Sequence, residues 1–174
     1  MKDFQIKELV FISIVVATIL AGGYLLLPLM QILPIPAFRG IIVAPIYGAG
    51  ITLVTLKIKK FGVITLFSLV IGGVLSIFFI WMSIITLLGG ILTEVFCALI
   101  FKTYANQYSI AFASGFFPAI QILLTLFVIT FILAWFPINL LTNPLIIFLP
   151  FLITFILGYG TSWTLLKILT KRKI

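Results

Sequence analysis

The chain has 174 residues, of which 64% are hydrophobic and only 8% charged, with a formal net charge of +8. An ordinary soluble domain carries about 25% charged residues, so a water-soluble enzyme domain, a disordered tail and a nucleic-acid-binding domain are excluded, because this composition in water would expose aggregating apolar patches. One cysteine rules out a disulfide framework, and zero histidines leave no His-based metal or acid–base site.

What remains is an all-α membrane protein, one integral-membrane domain over residues 1–174. A spanning helix needs about 20 mostly apolar residues. Six such stretches are expected: residues 10–30, 38–56, 61–80, 83–101, 110–134 and 145–166. They lack the period-2 alternation of a membrane barrel. They therefore read as helices whose backbone bonds close internally.

The first span lacks an A-x-A cleavage site and reads as retained. Within it, Ala17 and Ala21 share one face, followed by Gly22 and Gly23. Small residues at that spacing let another helix approach closely. Alone, such a stripe is explained by internal packing more often than by docking. The outward segment 31–37 carries Pro34 and Pro36, which stiffen it and disfavour helix. It is apolar for an exposed loop and is expected to fold over the outer ends of the helices. Arg39 then opens the second span. It suits a carboxylate or phosphate on a ligand, held by two parallel hydrogen bonds, or a lipid headgroup.

The third and fourth spans are separated only by Trp81 and Met82. Trp81 reads as an interfacial belt residue, a pocket residue or both. The fourth span contains Glu94, the one acidic residue away from the N-terminus. An ionisable group inside a membrane is costly and is by default a functional candidate. Three roles are open to it: accepting hydrogen bonds from a ligand, bonding Gln121 or Tyr159 across helices, or pairing with Lys102. Gln121 and Tyr159 read by default as packing glue, with ligand contact as the alternative. The outward segment 135–144 holds Trp135, Asn139 and Asn143 with Pro137 and Pro144. Stiff, apolar and sparsely polar, it suits a lid over a small-molecule site.

Orientation follows from the basic residues. With six spans, one side of the membrane receives Lys2, Lys7, Lys57, Lys59, Lys60, Lys102, Lys167, Lys171, Arg172 and Lys173. Of the 11 Lys and Arg residues, only Arg39 falls on the other side. The positive-inside rule then places both termini in the cytoplasm. These lysines also suit contact with anionic lipid.

No catalytic constellation emerges, and the chain is not expected to be an enzyme. There is no paired carboxylate, no metal-ligand spacing and no expected cofactor. Cys97 has no activating base and reads as inert. No phosphate-binding Gly-rich loop is present, so any ATPase must be another chain.

Taken together, six short spans, internal termini, the A-x-x-x-A pattern and the Pro-rich outer segment resemble the substrate-binding S components of energy-coupling factor (ECF) transporters. The stretch from Arg39 to Gly50, with Pro45, Tyr47 and Gly48, looks like that family's second helix, and Thr93–Lys102 is similar to the end of its fourth. Within the family, the helix-four region looks closest to the group handling the pyrimidine precursor of thiamine. The resemblance implies a subunit of a prokaryotic cell membrane that captures a vitamin or related micronutrient from outside. It implies docking through Ala17 and Ala21 onto a transmembrane T component carried by two ATPase subunits. Arg39, Trp81, Glu94, Gln121, Trp135, Asn139 and Asn143 are the candidate substrate contacts, chosen by chemistry and position. A stand-alone secondary carrier and a non-transport membrane scaffold remain as alternatives.

Overall fold

Apolar helices cannot leave their ends or crossings to chance in lipid, and the fold is built from those constraints. The computed structural model describes residues 4–102, 104, 106–135, 137–139 and 143–171. Lys2, Arg172 and Lys173 of the basic set lie outside the described residues. The protein is an all-α, multi-pass membrane protein. Its helices are α1 (Ile6–Leu25), α2 (Leu27–Gln31), α3 (Arg39–Ile58), α4 (Val63–Leu75), α5 (Ile80–Phe101), α6 (Gln107–Phe127) and α7 (Pro144–Lys171). A 3-10 turn, Pro36–Phe38, leads into α3, and a π-helical turn, Val128–Ile132, extends α6.

Five of these stretches are long and apolar enough to cross a membrane: α1, α3 with its 3-10 turn, α5, α6 with its π turn, and α7. The expected third span, 61–80, is the exception. α4 has 13 residues, or about 20 Å at the usual rise. The turn also lies earlier than expected, at residues 76–79, and Trp81 and Met82 belong to the first turn of α5. Ser76 bonds the Gly73 carbonyl through its side chain, at 2.7 Å, which competes with the helical ladder. Phe79 is extended, with φ −161° and ψ 115°, and α5 restarts after it. Small residues then let the two helices run back antiparallel in close contact. Gly72 lies against the backbone of Ser83, and Gly90 against Ser68 and the Ile64 carbonyl. The first span is also divided, because Pro28 cannot donate to the ladder and the chain breaks at Leu26 before α2.

The hub is α3, which packs against α1, α4, α6 and α7. At its centre three helices meet backbone to backbone. A Cβ on Gly48 would lie 2.7 Å from the Gly158 carbonyl oxygen, one on Gly158 2.7 Å from the Ser114 carbonyl, and one on Gly115 2.7 Å from the Phe155 carbonyl. Pro118 has no N–H to offer the Ser114 carbonyl, the acceptor four residues before it, and Gly158 packs against that freed group. Beside the crossing, buried hydroxyls from the same helices connect. Thr52 Oγ1 is 3.0 Å from Ser114 Oγ and 2.6 Å from both Ser162 Oγ and the Gly48 carbonyl. Lipid tails supply no hydrophobic drive for helix association, so close packing and such bonds hold the bundle.

The basic residues collect at one end. Lys60 bridges Glu8 at 2.8 Å. Lys57 sits 4.0 Å over the Phe11 ring, and Lys167 lies 5.7 Å over Trp163, which contacts Tyr108 at the start of α6. Arg39, at the start of α3, occupies the opposite end. There Ala37 is buried against Ile122, Leu126 and Ile129, with Ile35 and Phe38 beside it. The Pro-rich segment thus covers the end of α6.

Candidate functional site

Glu94 is the buried polar centre with the most partners. The chain enters α4 through Lys59 and Gly62, both left-handed with φ of 51° and 90°, and that double turn aims the first N–H groups of α4 at α5. Helix starts leave such donors without internal partners. Glu94 supplies the acceptors from the neighbouring helix: Gly62 N donates to Oε1 at 2.8 Å, while Ile64 N and Thr65 N donate to Oε2 at 2.9 and 3.1 Å. The fourth donor is the Tyr104 hydroxyl, 2.9 Å from Oε1. A left-handed Lys102, with φ 56°, turns the chain after α5 so that Tyr104 reaches back, and its ring packs 5.1 Å from Phe61. Burial and the neighbouring Glu94 push the Tyr104 hydroxyl above the usual phenol range, so it remains a donor.

This arrangement differs from the two protein pairings open to Glu94 in the sequence. Its oxygens are engaged by α4 and Tyr104, not by Gln121, Tyr159 or Lys102. It also lies 14 residues along α5 from Ile80, about 21 Å, towards the basic end and away from the other candidates. Gln121 instead donates to Thr86 Oγ1 at 3.0 Å, with its Cγ close to Gly89. Tyr159 stacks between Phe155 and Trp163.

The remaining candidates sit at the end opposite the lysines but on separate elements. Arg39 is exposed, Trp81 is half-buried, and Asn139 is exposed in the segment before α7. Trp135 is exposed and stacks on Phe79, rings 6.2 Å apart and 16° from parallel. That contact ties the corner between α4 and α5 to the end of α6. Asn143 acts within its own turn, where its Oδ1 accepts from Leu145 N at 3.0 Å and caps the start of α7. Among the described residues, grooves lie elsewhere as well. One of about 410 Å³ lies along the flank of α7, lined by Leu157, Gly160, Thr164 and their neighbours. Another, about 330 Å³, lies at the basic end between α1 and α3. Neither includes any of the seven candidates.

The same end holds a further feature that no sequence motif marks. Thr130 lies in the π-helical turn, is 7% exposed, and its hydroxyl has no hydrogen-bond partner. Thr93, Thr125 and Thr154 each donate to the carbonyl four residues earlier. Thr130 lacks that bond. The wider turn carries the ladder to the fifth residue instead, with Leu133 N on the Val128 carbonyl at 3.0 Å. Ala134 follows in the left-handed region at φ 51°, a conformation that costs an alanine about 1 kcal/mol or more.

On α1, Ile12, Val15, Val16 and Ile19 form the buried face. Ala17 and Ala21 are exposed. Comparison with protein-family models, with curated proteins and with solved structures finds no match for this chain.

Proposed function

We propose that this multi-pass membrane protein is the substrate-binding S component of an ATP-driven ECF importer in a prokaryotic cell membrane. In this reading it crosses the bilayer six times with both termini inside, α4 and the 76–79 turn making the shortest crossing. It captures a vitamin or related micronutrient from outside, a thiamine pyrimidine precursor being the first candidate. It performs no hydrolysis itself and docks on a T component borne by two ATPase subunits.

The observation that carries the reading is the first helix. Ile12, Val15, Val16 and Ile19 form its buried face towards α3 and α4, while Ala17 and Ala21 remain on the exposed side with Ile14. A small-residue stripe used for internal packing would be covered. Left open, it offers a second protein's helix a close approach. Ala17→Trp and Ala21→Trp are expected to abolish co-purification with the T component and ATP-dependent uptake while leaving the fold intact. Assembly and uptake that survive both changes would overturn the docking assignment.

A second reading, a non-transport scaffold, is favoured by the scatter of Arg39, Trp81, Trp135 and Asn139 over elements that share neither groove. A thermal-shift screen of the purified protein against vitamins and their precursors separates the two. The importer reading predicts stabilisation by one nutrient class that weakens in Arg39→Ala. The scaffold predicts no response.

A further inference from the structure

We propose that the seam between α1 and α3 at the basic end binds a phosphate-bearing anion, and that in the membrane this is the headgroup of an anionic phospholipid. The site stands apart from the importer reading and from every candidate substrate contact. The cavity, about 330 Å³, is lined by Lys7, Glu8, Phe11, Lys57 and Ile58. Its volume falls at the small end of ligand sites, about 300–1,000 Å³.

Charge decides which ion it takes. Glu8 is already engaged: Lys60 Nζ lies 2.8 Å from each of its oxygens, and Gln5 N donates to Oε2 at 2.9 Å. Lys57 is held over the Phe11 ring at 4.0 Å. A ring face orients an ammonium without cancelling its charge. Among the described residues, Lys7 and Lys57 form no ion pair. Two ammonium groups without an ion-pair partner therefore line one small cavity whose other walls are Glu8, already held by Lys60, and the apolar Phe11 and Ile58. A carboxylate-sized anion alone leaves the apolar walls unused. A phospholipid uses both halves, its phosphate between the lysines and its glycerol and upper acyl chain along the rings and branches. The stripe supports that placement, because Lys7, Phe11 and Ile14 follow helical spacing on one face of α1 and Ile14 is exposed. Basic pockets between helices at the cytoplasmic side are suited to such headgroups.

The test uses the full chain in a neutral detergent, with thermal unfolding and native mass spectrometry as readouts. Phosphatidylglycerol is expected to stabilise the protein and remain bound, and phosphatidylcholine to do neither. Each lysine near an anionic surface contributes about fivefold, so Lys7→Gln with Lys57→Gln is expected to weaken retention about 25-fold. The charge-matched control, Lys167→Gln with Lys171→Gln, is expected to keep it. Equal loss in both pairs would mean diffuse attraction and overturn the site. Stabilisation by inorganic phosphate without any by phosphatidylglycerol would overturn the lipid assignment. No response to either overturns the proposal outright. If the double variant unfolds, Lys7→Gln alone, at an exposed position, gives the same reading at about fivefold.

Discussion

At Glu94 two oxygens hold four donors from three places in the chain: the entry to α4, its first turn and Tyr104. A hydrogen bond to a charged group contributes about 1.5–3 kcal/mol. Glu94→Gln keeps the shape but turns one acceptor into a donor facing backbone N–H groups. The expected loss is about 2–3 kcal/mol, seen as a lowered unfolding temperature in detergent. Tyr104→Phe removes one donor and leaves three, so about 1 kcal/mol is expected. If Glu94 acted mainly on a ligand, Glu94→Gln would spare the unfolding temperature of the ligand-free protein. Thr130 runs the other way. Its hydroxyl is buried without a partner, so Thr130→Val, which keeps the branched shape, is expected to be neutral or to stabilise by up to about 1 kcal/mol.

Between helices, close approach rather than apolar burial sets tolerance. Gly158→Ala places a methyl 2.7 Å from the Ser114 carbonyl and 2.9 Å from Gly115 Cα. Neither neighbour is a flexible side-chain tip, so the helices must separate. Overpacking costs about 1–3 kcal/mol, and the upper value is expected here, again as a lowered unfolding temperature. Gly160, two residues on, has no atom within 4 Å of its would-be Cβ. Gly160→Ala is expected to gain about 0.5–1 kcal/mol from helix propensity alone. Opposite signs at these neighbouring glycines would show that the crossing of α3, α6 and α7, rather than α7 itself, carries the requirement. The hydroxyl cluster of Thr52, Ser114 and Ser162 adds to the same crossing, where interhelical bonds average about 0.6 kcal/mol.

Across the whole molecule, the charge distribution and the antiparallel packing agree. Every described lysine lies at the end where α1, α4 and α6 begin and α3, α5 and α7 finish, and Arg39 lies at the other. The importer reading places the lysine-rich end in the cytoplasm. In a Cys97→Ala background, Asn139→Cys is then expected to react with a membrane-impermeant thiol reagent on intact cells. Asn106→Cys is expected to react only after the membrane is opened. Both positions are exposed in the fold. Labelling in the reverse order would invert the assigned orientation, and labelling of both from outside would break the assigned number of crossings.

The membrane class, the helical backbone and the segregation of lysines are legible from one dimension. A bilayer admits few alternatives, and apolar run length and flanking charge are local properties. Helix ends are less so. The break at Leu26 follows from Pro28, but the early end of α4 depends on Ser76 and on how closely Gly72 and Gly90 let α5 return. The partners of Glu94 were not legible at all. Its acceptors meet backbone N–H groups some thirty residues away, and every residue except proline carries that donor, so no side-chain pattern announces it. Likewise, Ala17 and Ala21 read alike whether covered or open. Which face of a helix meets a neighbour is settled when all the helices compete for the same contacts, and that competition exists only in three dimensions.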